Sequence, residues 1–173
     1  MKKLLSILLV SVLLIGCSEN RVLIDELTNK GTEESPLMYY ENDLFNGIAY
    51  SGSYFLFEQN YKDGKKDGAF EIYDVLNDNF LFFQANYKDG KKDGLSRIWY
   101  ENGQLGLKDT YEHDVKDGSG RMWYDNGELL CHQIYVKGEL VDYKYWDQNG
   151  NEIEYSSASP QLQLASERLM RKK

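Results

Sequence analysis

The chain has 173 residues, a formal net charge of −8, 14 tyrosines, 15 glycines and only two prolines. An acidic chain is a poor general ligand for nucleic acid, which is held by Lys and Arg neutralising phosphates, and for anionic lipid headgroups. Abundant aromatic residues with frequent glycine and little proline suit aromatic strands separated by tight turns.

In chain order, Lys2 and Lys3 open the sequence and Leu4 to Ile15 is an almost wholly apolar run. A spanning helix needs about 20 apolar residues, so this run reads as an export signal rather than an anchor. It ends in Leu14-Ile15-Gly16-Cys17. These residues resemble the lipobox of bacterial lipoproteins. The resemblance implies that a signal peptide, 1–16, is cleaved before Cys17 and that the Cys17 thiol and new amino group are lipidated. Removal of Lys2 and Lys3 would take the charge from −8 to −10 and leave 157 residues. Acyl burial is worth about 0.8 kcal/mol per methylene, and two or more chains anchor stably. With Cys17 modified, Cys131 is the remaining thiol, so packing rather than a disulfide must hold the fold. Ser18 comes directly after the cysteine. By resemblance to the Gram-negative sorting rule this implies the outer membrane; in a Gram-positive cell the same protein would stay on the cell membrane.

Residues 17–36 read as the lipidated cysteine and a polar tether. Within it, Val22 to Leu27 forms a short strand or helical turn that docks on the first repeat. Residues 37–155 are repeats. Tyr-Lys-Asp-Gly-Lys-Lys-Asp-Gly occurs at Tyr61 to Gly68 and at Tyr87 to Gly94, with a worn copy at Tyr111 to Gly118, spaced by 26 and then 24 residues. A turn phrase at a fixed period signals one small unit stacking on its neighbours. Gly94-Leu-Ser-Arg-Ile-Trp-Tyr-Glu-Asn-Gly103 likewise matches Gly118-Ser-Gly-Arg-Met-Trp-Tyr-Asp-Asn-Gly127. Each unit reads as strand, turn, strand. Asn102-Gly103 and Asn126-Gly127 are expected as type I′ turns, with Asn149-Gly150 repeating the signal. The Lys-Asp-Gly phrases supply the turns between hairpins. The fold class is therefore all-β, with tandem β-hairpin repeats forming an elongated, twisted antiparallel sheet. Residues 156–173 are a polar, basic tail, in which Gln161 to Lys173 is either a short amphipathic helix or a frayed end.

Period-two alternation assigns the faces. One face carries the columns Phe55, Leu81, Leu105, Leu129; Phe57, Phe83, Leu107, Cys131; and Tyr61, Tyr87, Tyr111, Tyr135. Gly106, Lys108, Leu130 and His132 fall on the other, mixed face. Trp99 and Trp123, with Tyr73 and Trp146, are expected to pack between adjacent hairpins. An apolar sheet face must be covered. Either the sheet twists until its aromatics pack on one another, or the N-terminal segment and the C-terminal tail lie over it.

The glycine turns and the phrases Tyr-Lys-Asp-Gly-Lys-Lys-Asp-Gly and Trp-Tyr-Glu-Asn-Gly-Gln-Leu resemble the bacterial variant of the MORN repeat. The arrangement is similar to that of YwqK-type antitoxins of toxin–antitoxin systems: an entry segment, here Val22 to Leu27; a tyrosine-containing stretch, Met38-Tyr39-Tyr40; and a lead turn, Leu44-Phe45-Asn46-Gly47. The match covers about Val22 to Tyr155. Two departures stand out. The lead turn lacks the family's proline, and Asn77-Asp78-Asn79 with two extra residues replaces a clean Asn-Gly turn. The family carries structural residues only, so no site transfers. The resemblance implies a protein-interaction role, and a lipid anchor fits an immunity-like or scaffold part at the envelope better than a cytoplasmic antitoxin.

Chemistry-bearing residues are sparse. His113 and His132 are two histidines without the third or fourth converging ligand a zinc site needs. Cys131 aligns with Phe57, Phe83 and Leu107, a buried hydrophobe's place, and its neighbour His132 faces away on a strand, so the two make no nucleophile–base pair. Asp63, Asp67, Asp89, Asp93, Asp117 and Asp125 recur at turns, where short acids cap amides. Asp78 lacks the rest of a calcium loop. Lys62, Lys65, Lys66, Lys88, Lys91 and Lys92 read as a solvated, charge-balanced rim. No catalytic residue, metal or cofactor is expected. The expected partner is a protein of the envelope, with the membrane met through Cys17. The alternative is a cell-wall or glycan-binding module, since choline- and glucan-binding repeats are also glycine- and aromatic-rich hairpins.

Overall fold

The computed structural model describes residues 20–33 and 35–170. The signal sequence, the cleavage point and Cys17 therefore lie outside the described residues.

A parallel edge strand opens the described chain, β1 (Arg21–Leu23), with a 3-10 turn, Ile24–Glu26, directly after it. A small antiparallel sheet is built from β2 (Leu27–Asn29), β3 (Met38–Tyr40) and β4 (Asp43–Leu44). The long strands are β5 (Gly47–Ser51), β6 (Phe55–Lys62), β7 (Lys65–Asp74), β8 (Phe80–Lys88), β9 (Lys91–Trp99), β10 (Leu105–Glu112), the short β11 (Val115–Lys116), β12 (Gly118–Trp123), β13 (Leu129–Val136), β14 (Glu139–Trp146) and β15 (Glu152–Ile153). Helix α1 (Tyr155–Met170) closes the described chain.

From β5 onward the strands pair antiparallel in chain order into one sheet, with β1 added parallel to β5 at one edge. The fold is thus all-β, a run of hairpins in a single long sheet.

Of the two turn families, the Asn-Gly turns depart from the type I′ geometry expected of them, and the other family has the paired positive φ angles. The Lys-Asp-Gly-Lys phrases make turns with two successive positive φ angles, Asp63 and Gly64 at 50° and 73° and Asp89 and Gly90 at 50° and 88°, and Lys137-Gly138 makes the corresponding turn at 50° and 88°. His113 and Asp114 do the same without glycine, at 51° and 71°. The Asn-Gly turns do not. Gly103, Gly127 and Gly150 have positive φ but the preceding asparagines do not. There the turn closes one residue later, with Gly103 N–H donating to Tyr100 O (2.8 Å) and Tyr100 N–H to Gln104 O (2.9 Å). This is the three-residue loop in which only glycine takes the left-handed position. The side chain of Asn102 accepts the Gln104 amide at 3.0 Å, so it acts as an Asx turn.

Three bulges redistribute the faces. Phe83 pairs with Ile72 while Leu81 pairs with Tyr73, so Phe82 is the extra residue. The same shift leaves Gly106 extra between Leu105 and Leu107, and Leu130 extra between Leu129 and Cys131. A bulge breaks period-two alternation. Leu81, Leu105 and Leu129 therefore sit on the face opposite Phe83, Leu107 and Cys131, which corrects their assignment to one apolar column. Gly106 and Leu130 move correspondingly to the apolar face.

That apolar face is covered at both ends. A continuous ladder runs across it through Phe57, Ile72, Phe83, Ile98, Leu107, Met122, Cys131, Tyr145 and Ile153. At the N-terminal end, Leu27, Met38 and Tyr40 of the small sheet pack on Val22, Phe45, Ala49 and Tyr61. At the C-terminal end, α1 lies back across the strands. Ala158 meets Cys131 and Tyr145, Leu162 packs on the clusters around Leu130 and Cys131, Ala165 meets Tyr124 and Leu130, and Leu169 meets Ile98 and Tyr100. Those four positions recur at intervals of three or four residues, the spacing of one helix stripe. The segment read as a polar tail, or as a helix from Gln161, is a sixteen-residue helix beginning at Tyr155. Arg168 Nη1 pins its end to Asp125 at 2.5 Å, and the Tyr124 hydroxyl bonds Gln161.

Candidate functional site

The repeated phrases are consumed by the architecture. The amide of each Lys-Asp-Gly turn donates to the backbone of the previous one: Gly90 N–H to Lys66 O, Asp114 N–H to Lys92 O and Gly138 N–H to Lys116 O, all at 2.8 Å. Asp67 and Asp93 accept the Asp89 and His113 amides at 3.3 and 3.4 Å. The lead turn plays this part for the first repeat. Phe45 O accepts Gly64 N–H at 2.8 Å, and Asn46 Oδ1 accepts Asp63 N–H at 2.8 Å. Thus Phe45-Asn46-Gly47 stands where Lys66-Asp67-Gly68 stands one repeat on. The other edge is stitched similarly. The buried Tyr100 and Tyr124 hydroxyls donate to Trp123 O (2.8 Å) and Trp146 O (2.9 Å) of the next repeat.

The second lysine of each phrase is not a solvated rim residue. Lys66, Lys92 and Lys116 fold over the next repeat's tyrosine, 5.1 Å from the Tyr87 ring, 4.6 Å from Tyr111 and 5.0 Å from Tyr135. Phe45 against Tyr61, 5.6 Å between centroids, is the uncharged version of that contact. Burial lowers the Lys66 pKa. Burial also opposes the charge of Lys116, but its hydrogen bond to Asp109 (2.8 Å) reverses this and raises its pKa. Lys62, Lys65, Lys88 and Lys91 are exposed as expected, and the first three, with Asp63, Asp67, Asp89 and Asp93, border an open groove of about 590 Å³ on that edge. Asp125 holds Arg168 and so is structural too, while Asp117 sits in a turn closed by its backbone N–H on Thr110 O at 3.0 Å.

Cys131 is 3 % exposed, and burial pushes its thiol up to about 11. Its neighbour His132 lies on the opposite face, with Nε2 3.0 Å from Ser119 Oγ. His113 sits in an exposed turn with Nδ1 3.9 Å from Asp93. Asp78, with φ of 51°, is a turn residue beside Asn79. None of these is brought into a shared cluster.

The open face of the sheet is the surface that the folding contacts leave free. Among the described residues, the helix and the small sheet both pack on the other side. Two parallel rows cross it. The pairing register aligns Glu58, Glu71, Gln84 and Arg97 on β6 to β9, then Lys108, Arg121, His132 and Lys144 on β10 to β14. One step away in each strand lies an apolar row. There Tyr73 faces Leu56 and Leu81, Trp99 faces Leu105, Trp123 faces Leu129, and Trp146 ends the row. All are half-buried. The tryptophans thus line a surface and pair across strands with leucines, rather than filling a core between hairpins.

The acidic end of the polar row is internally paired. Arg21 bonds Glu58, while Glu71 accepts from Tyr73 and Gln84 (both 2.7 Å), and Arg97 donates to Gln84 at 2.8 Å. Lys144 reaches Glu152 at 3.2 Å. Lys108 and Arg121 have no ion-pair partner among the described residues. Sequence reasoning marked this face as mixed but missed its ordering, because the bulges that set it leave no mark beyond an extra residue per unit.

No protein-family model matches the chain, and no curated protein matches it either.

Proposed function

We propose that this chain is a lipid-anchored repeat protein of the bacterial envelope that works as a protein-interaction module, with the open sheet face as its docking surface. The observation that carries the reading is that face. Tryptophan, tyrosine and leucine are ranged beside arginines on a surface the fold does not use, and this is the composition of an interface centre, where aromatics and Arg are enriched. A long flat face on a stack of repeats suits a protein partner. The resemblance to MORN-variant, YwqK-type proteins agrees with an interaction role of antitoxin or immunity type, and the lipobox-like Leu14-Ile15-Gly16-Cys17 supports tethering at Cys17. The test is to express the tagged protein in its own host, crosslink in intact cells and identify what is joined to it. One dominant protein supports the reading; recovery of wall polymer alone contradicts it.

A glycan-binding role is the second reading, favoured by one observation: Trp99, Trp123 and Trp146 recur across the open face, as stacking platforms would. Retention of the protein on purified peptidoglycan would support it, and passage through unretarded would remove it.

A further inference from the structure

Resting on that protein-interaction reading, we infer that the open face recognises an acidic, amphipathic protein segment laid across β9 to β14, with acidic side chains against the cationic row and apolar ones against the tryptophan–leucine row. The charge pattern is the first ground. The chain as a whole carries −8, yet Arg97, Lys108, Arg121, His132 and Lys144 occupy consecutive places in one row. Neighbouring strands are about 4.8 Å apart, so the basic heads form a line roughly 20 Å long, in which Arg97, Lys108, Arg121 and Lys144 carry the charge. Such a line attracts an opposite one and sets its register. Lys108 and Arg121, at its centre, and Arg97 beside them have no carboxylate partner among the described residues; Arg97 is held only by the neutral Gln84 amide.

The apolar row decides the class of partner. Leucines, which offer no stacking face, alternate with the aromatics: Leu81, Leu105 and Leu129 against Tyr73, Trp99 and Trp123. Leucine recovers free energy only by burying apolar surface, and apolar side chains are what a protein segment supplies beside its acids. A flat anionic membrane fits less well, because the chain as a whole carries −8 and is repelled by anionic headgroups. A second copy fits poorly too. Glu58 and Glu71, the acids it would present in the same row, already hold Arg21, Tyr73 and Gln84.

The test uses the full-length lipidated protein, the variant Lys108→Glu/Arg121→Glu, and a turn-edge control, Lys62→Glu/Lys88→Glu. Both pairs are surface changes, and circular dichroism confirms that each variant folds. The probes are a peptide of alternating glutamate and leucine, polygalacturonate, and phosphatidylglycerol vesicles. The expected result is binding of the peptide at low salt, weakening as salt rises, at least tenfold weaker for Lys108→Glu/Arg121→Glu and unchanged for the control. Equal peptide binding by all three proteins, preference for polygalacturonate, or vesicle binding that itself weakens tenfold in Lys108→Glu/Arg121→Glu, overturns the inference. In-cell crosslinking separates the two claims. A protein partner captured equally by wild type and Lys108→Glu/Arg121→Glu leaves the interaction role standing and refutes this site. Capture of no protein by the wild type refutes the role itself.

Discussion

The position of α1 over the bulge at Gly106 gives a prediction with two coupled parts. A methyl group at Gly106 would lie 2.2 Å from Leu169 Cδ2 and 2.9 Å from Tyr100 Cε2. The backbone there is not left-handed, so Gly106→Ala acts through crowding alone and should cost about 1–3 kcal/mol. Leu169 is 3 % exposed against Ile98 and Tyr100. Core Leu→Ala changes cost about 2–5 kcal/mol, and a helix end can settle, so Leu169→Ala belongs near 2 kcal/mol, or about 4–8 °C in Tm for a chain of this size. The double variant places the new methyl in the space the leucine leaves. It should be no less stable than Leu169→Ala alone, a coupling of about 1–3 kcal/mol. Urea denaturation of the four proteins, monitored by tryptophan fluorescence, measures this. Additive losses, or a Leu169→Ala change below about 0.5 kcal/mol, would mean that the helix does not lie on the bulge.

Lys116→Met strands the buried Asp109 carboxylate and should cost about 2 kcal/mol. Lys66→Met, which removes a lysine with no such acid and a lowered pKa, should cost less than about 1 kcal/mol; equal losses in chemical denaturation would contradict the pairing. Tyr100 ionises near 10 when unfolded and, by burial, only near about 12 when folded. The native state therefore keeps the proton longer. Stability fully present below pH 10 is lost as pH rises toward 12, so the part of the tyrosinate absorbance that Tyr100→Phe removes should rise together with loss of the sheet's circular dichroism, not before it. Cys131 should react with a thiol reagent at mildly alkaline pH only after denaturation, and fast labelling of the native protein would refute its burial. Cys17→Ser should move the protein from the membrane to the soluble fraction; unchanged membrane partition would refute lipid anchoring at that residue.

The hairpin repeat was legible because its turn phrases carry a direct steric demand. Asp89-Gly90 needs positive φ at both residues, and a repeated phrase at a repeated spacing fixes strand length. The columns Phe57, Phe83, Leu107, Cys131 and Tyr61, Tyr87, Tyr111, Tyr135 come from alternation along stretches of strand that carry no extra residue of their own. The illegible features arose from single-residue events. The bulges at Phe82, Gly106 and Leu130 invert the faces around them, and no residue type announces a bulge when the extra residue is as different as Phe, Gly and Leu. Asn102-Gly103 suits two turn types, and the closing pair Tyr100–Gln104 selects between them only in three dimensions. The helix from Tyr155 was obscured by Pro160, which costs a helix one backbone bond, and by the small residues Ser156, Ser157 and Ala158, of which the buried Ala158 lets the helix pack against Cys131. The open face was half visible: Lys108 and His132 were placed on a mixed face. The line from Arg97 to Lys144 exists only once the register joins strands far apart in sequence.

Site-specific photocrosslinking in living cells tests the central claim most directly. A photoreactive side chain is placed in turn at Trp123 on the open face, at Leu164 on the outside of the helix, and at Leu76 in the β7–β8 loop. The account predicts one protein joined through position 123 and none through 164 or 76. Equal crosslinking at all three positions, or a partner joined only through 164 or 76, would contradict it.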